Sequence, residues 1–221
     1  MQALSLCSLR MVRGVTLAAR DRGFNEAMLE ASWIHADGQS IVLASRLTKA
    51  PLTERIATTD FFHDAARAAV RHGLSFYVLG GSETQNKRAV DQMLVLYPDL
   101  RIVGRRNGYF KREEEEEICR EIRDSGADVL WVRLGKPLQE EWCVRNRDRL
   151  HGIGWIKTCG GLYAFLAGDS PRAPQWMQDM CLEWLFGALK DPMRLGWRYL
   201  TTNPYSFYRL IRYTKANPIF G

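Results

Sequence analysis

The sequence lacks several features that would each indicate a class of protein at once. It has no run of 18 apolar residues, so we expect no membrane-spanning helix. Its five cysteines include no C-x-x-C pair, and no histidine cluster lies near them, so we expect reduced, mostly buried thiols in a cytosolic protein. Residues 1–15 contain no long apolar core and no cleavage-like site, so no secretory signal is expected.

Several catalytic motifs are also missing. The chain has no D-x-D pair to hold a metal–nucleotide complex, no H-E-x-x-H and no Cys/His quartet. It has no Walker A motif, no full G-x-G-x-x-G and no G-x-S-x-G elbow. A metal-dependent or serine-nucleophile mechanism therefore has no support, and we expect neither a metal nor another cofactor.

The charge that is present is mostly arginine and is unevenly placed. The 221 residues are 46% hydrophobic and 25% charged, which is typical of a globular protein with a real core. Of 31 cations 24 are Arg, and the net charge is +6, which favours anion recognition because guanidinium pairs with phosphate and carboxylate. Residues 172–221 carry 7 cations, 3 anions and 10 of the 24 aromatic residues. This basic, aromatic region follows a nearly neutral middle.

Short apolar runs alternate with longer amphipathic ones, which predicts an α/β fold with a Rossmann-like, mostly parallel sheet and flanking helices. The predicted strands are Ser40–Ala44, Ser75–Leu79, Arg101–Val103, Asp128–Leu134 and Trp155–Thr158. The predicted helices span residues 59–72, 83–96, 113–125 and 138–150.

After Gly168 the pattern changes, because prolines punctuate the chain and no strand is evident. Helices are predicted over Trp176–Lys190, from Pro192 to about Thr201, and over Tyr205–Lys215. We therefore predict an α/β catalytic core at residues 1–170 and a basic, aromatic helical appendage at residues 171–221.

Two predicted strands run into paired glycines, at Gly80-Gly81 and Gly160-Gly161. Glycine lets the backbone approach a ligand, and ligands bind at the carboxyl edge of a parallel sheet. A simple tight turn explains each pair about as well.

The segment Gly135-Lys136-Pro137-Leu138-Gln139-Glu140 follows the strand with the strongest apolar pattern. Pro137 suits the start of a helix, which places Gln139 and Glu140 in its first turn. The amide of Gln139 is then a candidate donor to a diphosphate, or alternatively a cap of the helix.

Asp37, in Ala36-Asp37-Gly38, is a candidate carboxylate base just ahead of the Ser40–Ala44 strand. Asp-Gly is also common turn chemistry, so a structural role is an open alternative. His35 would share the face of Asp37 on an extended segment, although a lone histidine is often merely packed.

The ordered set of motifs resembles the WecG/TagA/CpsF family of bacterial glycosyltransferases. No single motif is specific, but their order and spacing from about residue 17 to 212 are those of the family. The matching segments are Ala36-Asp37-Gly38, Glu54-Arg55, Thr59-Asp60, Leu79-Gly80-Gly81, Tyr97-Pro98, Ile102-Val103-Gly104, Asn107-Gly108-Tyr109-Phe110, Leu134 to Glu140, Gly160-Gly161, Phe165-Leu166-Ala167-Gly168, Arg172-Ala173-Pro174, Leu182-Glu183-Trp184-Leu185 and Arg198-Tyr199-Leu200.

The resemblance implies an inverting, metal-independent enzyme that moves a sugar from a UDP-sugar to an undecaprenyl-diphosphate-linked sugar in surface polysaccharide synthesis. It implies Asp37 as general base, Arg55 near the diphosphate or acceptor, and Gln139 on the leaving diphosphate. The nucleotide-sugar site would include Gly80, Gly81, Gly135, Pro137, Gln139, Glu140, Gly160 and Gly161.

The resemblance also gives the appendage a role at the inner face of the cytoplasmic membrane, with self-association as a further expectation. Aromatic and basic side chains suit a membrane interface and a lipid diphosphate. The candidate acceptor or membrane residues are Arg194, Arg198, Arg209 and Arg212. The alternative is that the aromatics form core and the arginines a solvated face.

Three departures from the family pattern motivate a second hypothesis, a catalytically impaired UDP-sugar-binding member. The family's opening strand with a T-x-N-like motif would fall near Leu9-Arg10-Met11, and residues 1–16 read poorly as that strand. Ala164 stands where the family often has Asp, and Ala57 stands near a common Gly. Nucleic-acid binding is a third hypothesis, based on the basic tail, but no nucleic-acid-binding motif supports it.

Overall fold

The computed structural model describes residues 5–10, 12–170, 173–174, 177, 183–190, 193 and 197–214. The strands are β1 (Ser5–Arg10), β2 (Trp33–Ala36), β3 (Ser75–Gly80), β4 (Arg101–Arg106), β5 (Val129–Arg133) and β6 (Trp155–Thr158). The helices are α1 (Val12–Arg20), α2 (Arg22–Leu29), α3 (Gln39–Ser45), α4 (Thr58–His72), α5 (Glu83–Leu96), α6 (Glu115–Asp124), α7 (Leu138–Arg145), α8 (Leu162–Leu166), α9 (Glu183–Lys190) and α10 (Trp197–Tyr213). These same residues include two 3₁₀ turns, at Arg112–Glu114 and Arg147–Leu150.

One sheet of six strands, in the order β2-β1-β6-β5-β3-β4, organises the fold. The central pairs are parallel: β1 with β6, β6 with β5, β5 with β3, and β3 with β4. Because parallel neighbours need crossover connections, helices cover both faces of this sheet. The α/β fold with a mostly parallel sheet, flanking helices and C-terminal helices is therefore confirmed.

Alternate residues of β3 enter two separate apolar clusters, which explains why the whole strand is buried. Phe76 and Val78 pack with Trp131 in a cluster that includes residues of α4, α5 and α8. Tyr77 and Leu79 pack in a second cluster with residues of α6 and α7. A strand covered on both faces has a continuous apolar run, which is how the sequence revealed it.

The predicted strand at Ser40–Ala44 is wrong, because this segment lies in helix α3. Ile41, Val42 and Ala44 are buried whereas Leu43 is exposed, a pattern that does not alternate as a strand facing one core would. A five-residue apolar run fits a buried strand and a short helix equally well, so periodicity could not separate them.

The N-terminal part of the chain contains two strands that the sequence did not predict. β1 (Ser5–Arg10) pairs in parallel with β6, with Ser5 opposite Trp155, so the expectation of a poor strand in residues 1–16 is wrong. β2 (Trp33–Ala36) lies beside β1 at the edge of the sheet. Neither strand has the continuous apolar pattern of β3 and β5, and β2 has only four residues.

The chain divides into two compact units. The first unit consists of Met1–Leu9, Gly23–Ile34 and Thr58–Ser170, and the second consists of Arg10–Arg22, His35–Ala57 and Pro171–Gly221. The boundary predicted near residue 170 ends the last segment of the first unit, while two earlier segments belong to the second.

The second unit packs segments from distant parts of the sequence. Thr16 of α1 and Ser206 of α10 are both buried, and their hydroxyl oxygens are 2.5 Å apart in a hydrogen bond. The Arg20 guanidinium lies 4.5 Å from the centre of the Tyr205 ring. Leu210 packs against the small cluster of Ala36, Ile41 and Val42.

Helix α10 runs unbroken from Trp197 to Tyr213, so the predicted break between Thr201 and Tyr205 is wrong. Pro204 lies inside this helix, where proline removes a backbone hydrogen bond and costs about 3 kcal/mol. Packing of α10 on α1 offsets that cost, which a local sequence rule does not see. The predicted helix over Trp176–Lys190 is described only at its end, as α9, and the predicted start at Pro192 lies outside the described residues.

Candidate active site

Three of the segments predicted to bind a nucleotide sugar lie at one edge of the sheet. Strands β3, β5 and β6 are neighbours, with Gly80 opposite Arg133 and Val132 opposite Thr158. Because the three strands are parallel, their carboxyl ends meet at the same edge. The turns at Gly80-Gly81 and Gly160-Gly161 and the segment from Gly135 to Glu140 all begin there.

The turn after β3 requires glycine for reasons of backbone packing. Gly80 has φ +113°, and a Cβ atom there would lie 1.9 Å from the carbonyl oxygen of Arg133. The N–H of Gly81 donates to that same oxygen at 3.0 Å, and the N–H of Gly108 donates to the carbonyl oxygen of Gly81 at 2.8 Å. The close approach of β3 to β5 therefore accounts for Gly80 without a ligand.

The segment after β5 begins helix α7 as the sequence predicts. The Lys136–Pro137 peptide bond is cis, Pro137 is the N-cap, and the helix starts at Leu138. The N–H of Gln139 donates to the carbonyl oxygen of Gly135 at 2.9 Å. Gln139 and Glu140 thus lie in the first helical turn, and both are fully buried.

Lys136, Gln139 and Glu140 form a buried polar cluster at this helix start. Gln139 Nε2 donates to Glu140 Oε1 at 2.9 Å, and Lys136 Nζ lies 3.5 Å from the same oxygen. Burial raises the pKa of the Glu140 carboxyl, while the positive charge of Lys136 opposes that rise. Within the described part of the chain, Gln139 Oε1 is buried and has no hydrogen-bond partner. The Gln139 side chain therefore binds Glu140 rather than capping the helix, and its contact with a diphosphate stays a prediction.

Arg133 is a polar residue of this edge that the sequence reasoning missed. It ends β5, it is half-buried, and its Nε donates to the carbonyl oxygen of Gly160 at 3.0 Å. Its Nη1 donates to Gln85 Oε1. The signal available in the sequence was a single arginine at the end of an otherwise apolar strand, which reads equally well as a strand terminator.

Asp37 and Arg55 belong to the second unit and are neighbours in it. Asp37 is half-buried and directly follows β2, so it lies at the carboxyl end of a strand and not ahead of one. Arg55 Nε donates to the backbone oxygen of Asp37 at 2.7 Å, and the N–H of Ile56 donates to Ala36 at 2.9 Å. The structure thus places the Arg55 side chain beside Asp37 by a hydrogen bond to the Asp37 backbone. His35, in strand β2, is half-buried.

The tail arginines are described only in part. Arg194 lies outside the described residues, and Arg198 lies in α10. The guanidinium carbons of Arg209 and Arg212 lie 4.1 Å and 5.7 Å from the centre of the Tyr213 ring. Tyr208, Ile211 and Tyr213 are each at least half exposed, so this end of α10 presents aromatic, aliphatic and cationic groups together.

The described residues also bear on metal binding, membrane-spanning helices and the cysteines. No group of three His, Cys, Asp or Glu side chains there is placed to hold a metal ion. No helix among them is long and apolar enough to cross a membrane. Cys119, Cys143 and Cys159 are buried free thiols, as predicted, and burial raises the pKa of Cys119 to about 11 and that of Cys159 to about 12.

The sequence matches a family of known proteins over most of its length. The model of the glycosyl transferase WecG/TagA/CpsF family matches residues 7–218. The N-acetylglucosaminyldiphosphoundecaprenol N-acetyl-beta-D-mannosaminyltransferase of Bacillus subtilis (strain 168) is 27% identical over 203 residues, which cover 92% of this chain and 77% of the relative. Proteins of the same name from Staphylococcus aureus strains MW2 and NCTC 8325 / PS 47 are each 28% identical over 198 residues, covering 90% of this chain and 76% of theirs.

Proposed function

Because the chain belongs to the WecG/TagA/CpsF family of glycosyl transferases, we propose that it transfers a sugar from a UDP-sugar to a polyprenyl-diphosphate-linked sugar acceptor. The transfer would serve bacterial surface polysaccharide synthesis. One observation carries the proposal for the donor. The two glycine turns and the Gly135–Glu140 segment, which lie apart in sequence, meet at the carboxyl edge of one parallel sheet. Nucleotide ligands bind at such edges in open α/β sheets.

The names of the relatives support the acceptor and suggest the first donor to test. They are named for transfer of N-acetylmannosamine to N-acetylglucosaminyldiphosphoundecaprenol. We therefore propose an acceptor in which a sugar is linked through a diphosphate to undecaprenol, and UDP-N-acetylmannosamine as the first donor for assay. The transfer assay described below identifies the donor sugar.

We propose that Asp37 is the general base of an inverting reaction. In this step the Asp37 carboxylate takes the proton of the acceptor hydroxyl as its oxygen bonds to the anomeric carbon. The bond from that carbon to the β-phosphate oxygen breaks, and UDP leaves with the electron pair. A half-buried carboxylate at the end of a strand suits this role, and general-base catalysis contributes about 10²- to 10⁴-fold.

The leaving UDP carries negative charge that protein groups must stabilise if no metal takes part. We propose Gln139 as a contact of the leaving diphosphate, with Gly80, Gly81, Gly135, Pro137, Glu140, Gly160 and Gly161 around the nucleotide. Arg55, held beside Asp37 by its bond to the backbone oxygen, is proposed to bind the diphosphate or the acceptor.

We further propose that the chain works as a peripheral protein on the inner face of the cytoplasmic membrane. The exposed Tyr208, Ile211 and Tyr213 beside Arg209 and Arg212 combine apolar and cationic groups on one helix. Such a combination binds the boundary of anionic bilayers and suits a lipid diphosphate.

The experiment is a transfer assay with a panel of UDP-sugars and a polyprenyl-diphosphate-GlcNAc acceptor, run with and without EDTA. We expect transfer from one donor, undiminished by EDTA. Asp37→Asn should lower kcat by about 10²-fold or more while UDP affinity changes less than about twofold. The control is Asp99→Asn, which removes an exposed carboxylate just before β4. Full activity in Asp37→Asn would refute the general base, and UDP binding without transfer from any donor would favour the impaired-member hypothesis.

A further inference from the structure

The guanidinium of Arg133 spans the space between the two glycine turns. On one side Nε donates to the carbonyl oxygen of Gly160 at 3.0 Å. On the other side Nη1 donates to Gln85, and a Cβ atom built on Gly81 would lie 3.1 Å from that nitrogen. The guanidinium therefore lies against both turns that follow β3 and β6.

Within the described part of the chain, Arg133 has unused hydrogen-bond donors and no carboxylate partner for its charge. A guanidinium has five N–H groups, and among the described residues Arg133 uses one on Nε and one on Nη1. Both N–H groups of Nη2 and the second of Nη1 have no acceptor there. No described Asp or Glu forms an ion pair with Arg133, whereas Arg88, Arg105, Arg106, Arg145 and Arg147 are each paired with a carboxylate.

A chain of three side chains holds Arg133 in this place. Gln85 accepts from Arg133 through Oε1 and donates through Nε2 to Asp169 Oδ2 at 2.7 Å. Asp169 Oδ1 accepts from Arg88 Nη1 at 2.8 Å, and Arg88 Nη2 also donates to the backbone oxygen of Ala167. The Asp169 charge is thus balanced by Arg88 and fixes the amide of Gln85, so the amide oxygen faces the guanidinium.

The chemistry of this arrangement is that of an anion site. A neutral amide and a carbonyl oxygen orient the guanidinium but leave its positive charge in place. With respect to the described residues, three of its N–H groups are left without an acceptor at the carboxyl edge of the sheet, and a guanidinium presents its N–H groups as a planar fork that pairs with phosphate oxygens. Among the described residues no acceptor and no carboxylate takes up these donors or this charge, so both are available to an anionic ligand.

We propose that Arg133 binds the diphosphate of the nucleotide donor, and that Arg88, Asp169 and Gln85 are positioning residues that hold its guanidinium between the glycine turns. This inference rests on the proposed function only in taking a nucleoside diphosphate as the ligand. It adds a binding residue that neither the family resemblance nor the motifs indicated.

Calorimetric titration of UDP and UMP into the protein tests the role of Arg133. Charged hydrogen bonds of this kind predict that Arg133→Gln raises the Kd of UDP about 10- to 100-fold and that of UMP by less. Arg133→Lys, which keeps the charge without the fork, should fall between wild type and Arg133→Gln. The matched control is Arg101→Gln, because Arg101 donates to the carbonyl oxygen of Gly73 at the start of β4, away from the carboxyl edge. Its Kd should stay within about twofold of wild type.

The outcomes separate this inference from the proposed function. If the wild-type protein binds neither UDP nor UDP-sugars, the proposed donor class fails and the inference fails with it. If the wild-type protein binds UDP and both Arg133 variants bind it equally well, the proposed function stands and the role of Arg133 is overturned. An equal loss for UDP and UMP in a folded Arg133→Gln variant would also overturn the diphosphate contact.

A double-mutant cycle tests the positioning residues. We expect Asp169→Asn to raise the Kd of UDP about 3- to 10-fold when Arg133 is present and to add nothing in the Arg133→Gln background. A purely structural role of Asp169 would weaken binding by the same factor in both backgrounds. That additive result would overturn the positioning role and leave the test of Arg133 itself unaffected.

Discussion

Alanine substitution at two glycines with positive φ tests how closely β3 approaches β5. Gly73, which follows α4, has φ +67°, and Gly80, which ends β3, has φ +113°. A Cβ atom at Gly73 meets nothing within 4 Å, but at Gly80 it would lie 1.9 Å from the carbonyl oxygen of Arg133. Both variants therefore strain the backbone, but only Gly80→Ala also places its Cβ atom against the neighbouring strand.

The expected cost differs because only one site has an obstacle. For Gly73→Ala, left-handed strain of about 1–2 kcal/mol is partly offset by about 0.4–1 kcal/mol from the stiffer unfolded chain. For Gly80→Ala the strain is about 1–3 kcal/mol, with the same offset of about 0.4–1 kcal/mol from the unfolded chain. The overlap also forces β3 from β5 by roughly 1.5 Å, breaking the bond from Gly81 to Arg133 for about 1–3 kcal/mol more. Because the offset cancels between the variants, Gly80→Ala should be about 2–3 kcal/mol less stable than Gly73→Ala.

Urea unfolding followed by tryptophan fluorescence and circular dichroism measures this difference. With an m value of about 2 kcal/mol/M, the midpoint of Gly80→Ala should fall roughly 1–2 M below that of Gly73→Ala. Gly126→Ala is a second control, because Gly126 also has φ +67° and open space around its Cβ position. Equal midpoints for all three variants would show that the strands can separate freely and would refute the packing explanation of Gly80.

Two further predictions concern charge. Burial raises the pKa of Glu140, so the native state keeps this proton to higher pH than the unfolded chain, and the protein loses stability as pH rises above about 4.5. The side chain of Glu140→Gln does not titrate, so the unfolding free energy of this variant should increase relative to that of wild type between pH 4.5 and 7. A constant difference between the two proteins across that range would contradict the raised pKa. At the membrane, each cation near an anionic surface contributes about 1 kcal/mol, so the double variant Arg209→Gln/Arg212→Gln should bind phosphatidylserine vesicles about 30-fold more weakly in co-sedimentation. The control Arg71→Gln/Arg120→Gln, which removes two exposed arginines of α4 and α6, should bind as wild type, and equal losses in both would leave only net charge as the cause.

The parts of the fold that the sequence predicted are those with a long or strongly apolar pattern. β3 and β5 are buried on both faces, so their residues form continuous apolar runs, and α4 and α5 are long enough to show a helical period. The prediction of a strand at Ser40–Ala44 was wrong because a run of five residues is too short to show whether its period is that of a helix or of a strand. The prediction of a helix break near Pro204 was wrong because packing of α10 on α1 outweighs the local tendency of proline to end a helix.

The candidate site shows the same division between local and long-range information. The glycine turns and the Gly135–Glu140 segment follow apolar strands, so their meeting at one edge could be inferred from the alternation of strands and helices. The setting of Arg133 depends on Gln85 and Asp169, which lie 48 and 84 residues from their partners in these bonds. No local pattern reports a contact of that kind, and no motif distinguishes Arg133 from an ordinary end of a strand.

The order in which the second unit is assembled has a consequence for synthesis on the ribosome. Thr16 and Ser206, which hydrogen-bond in that unit, are 190 residues apart in sequence. The ribosome therefore synthesises every residue of the first unit before α10, and the first unit can fold at that stage. Helices α1 and α3 belong to the second unit and lack their partner helix until α10 has been synthesised. On nascent chains stalled at increasing lengths, protease protection should reach the first unit earlier, and α1 should become protected only after α10 has emerged.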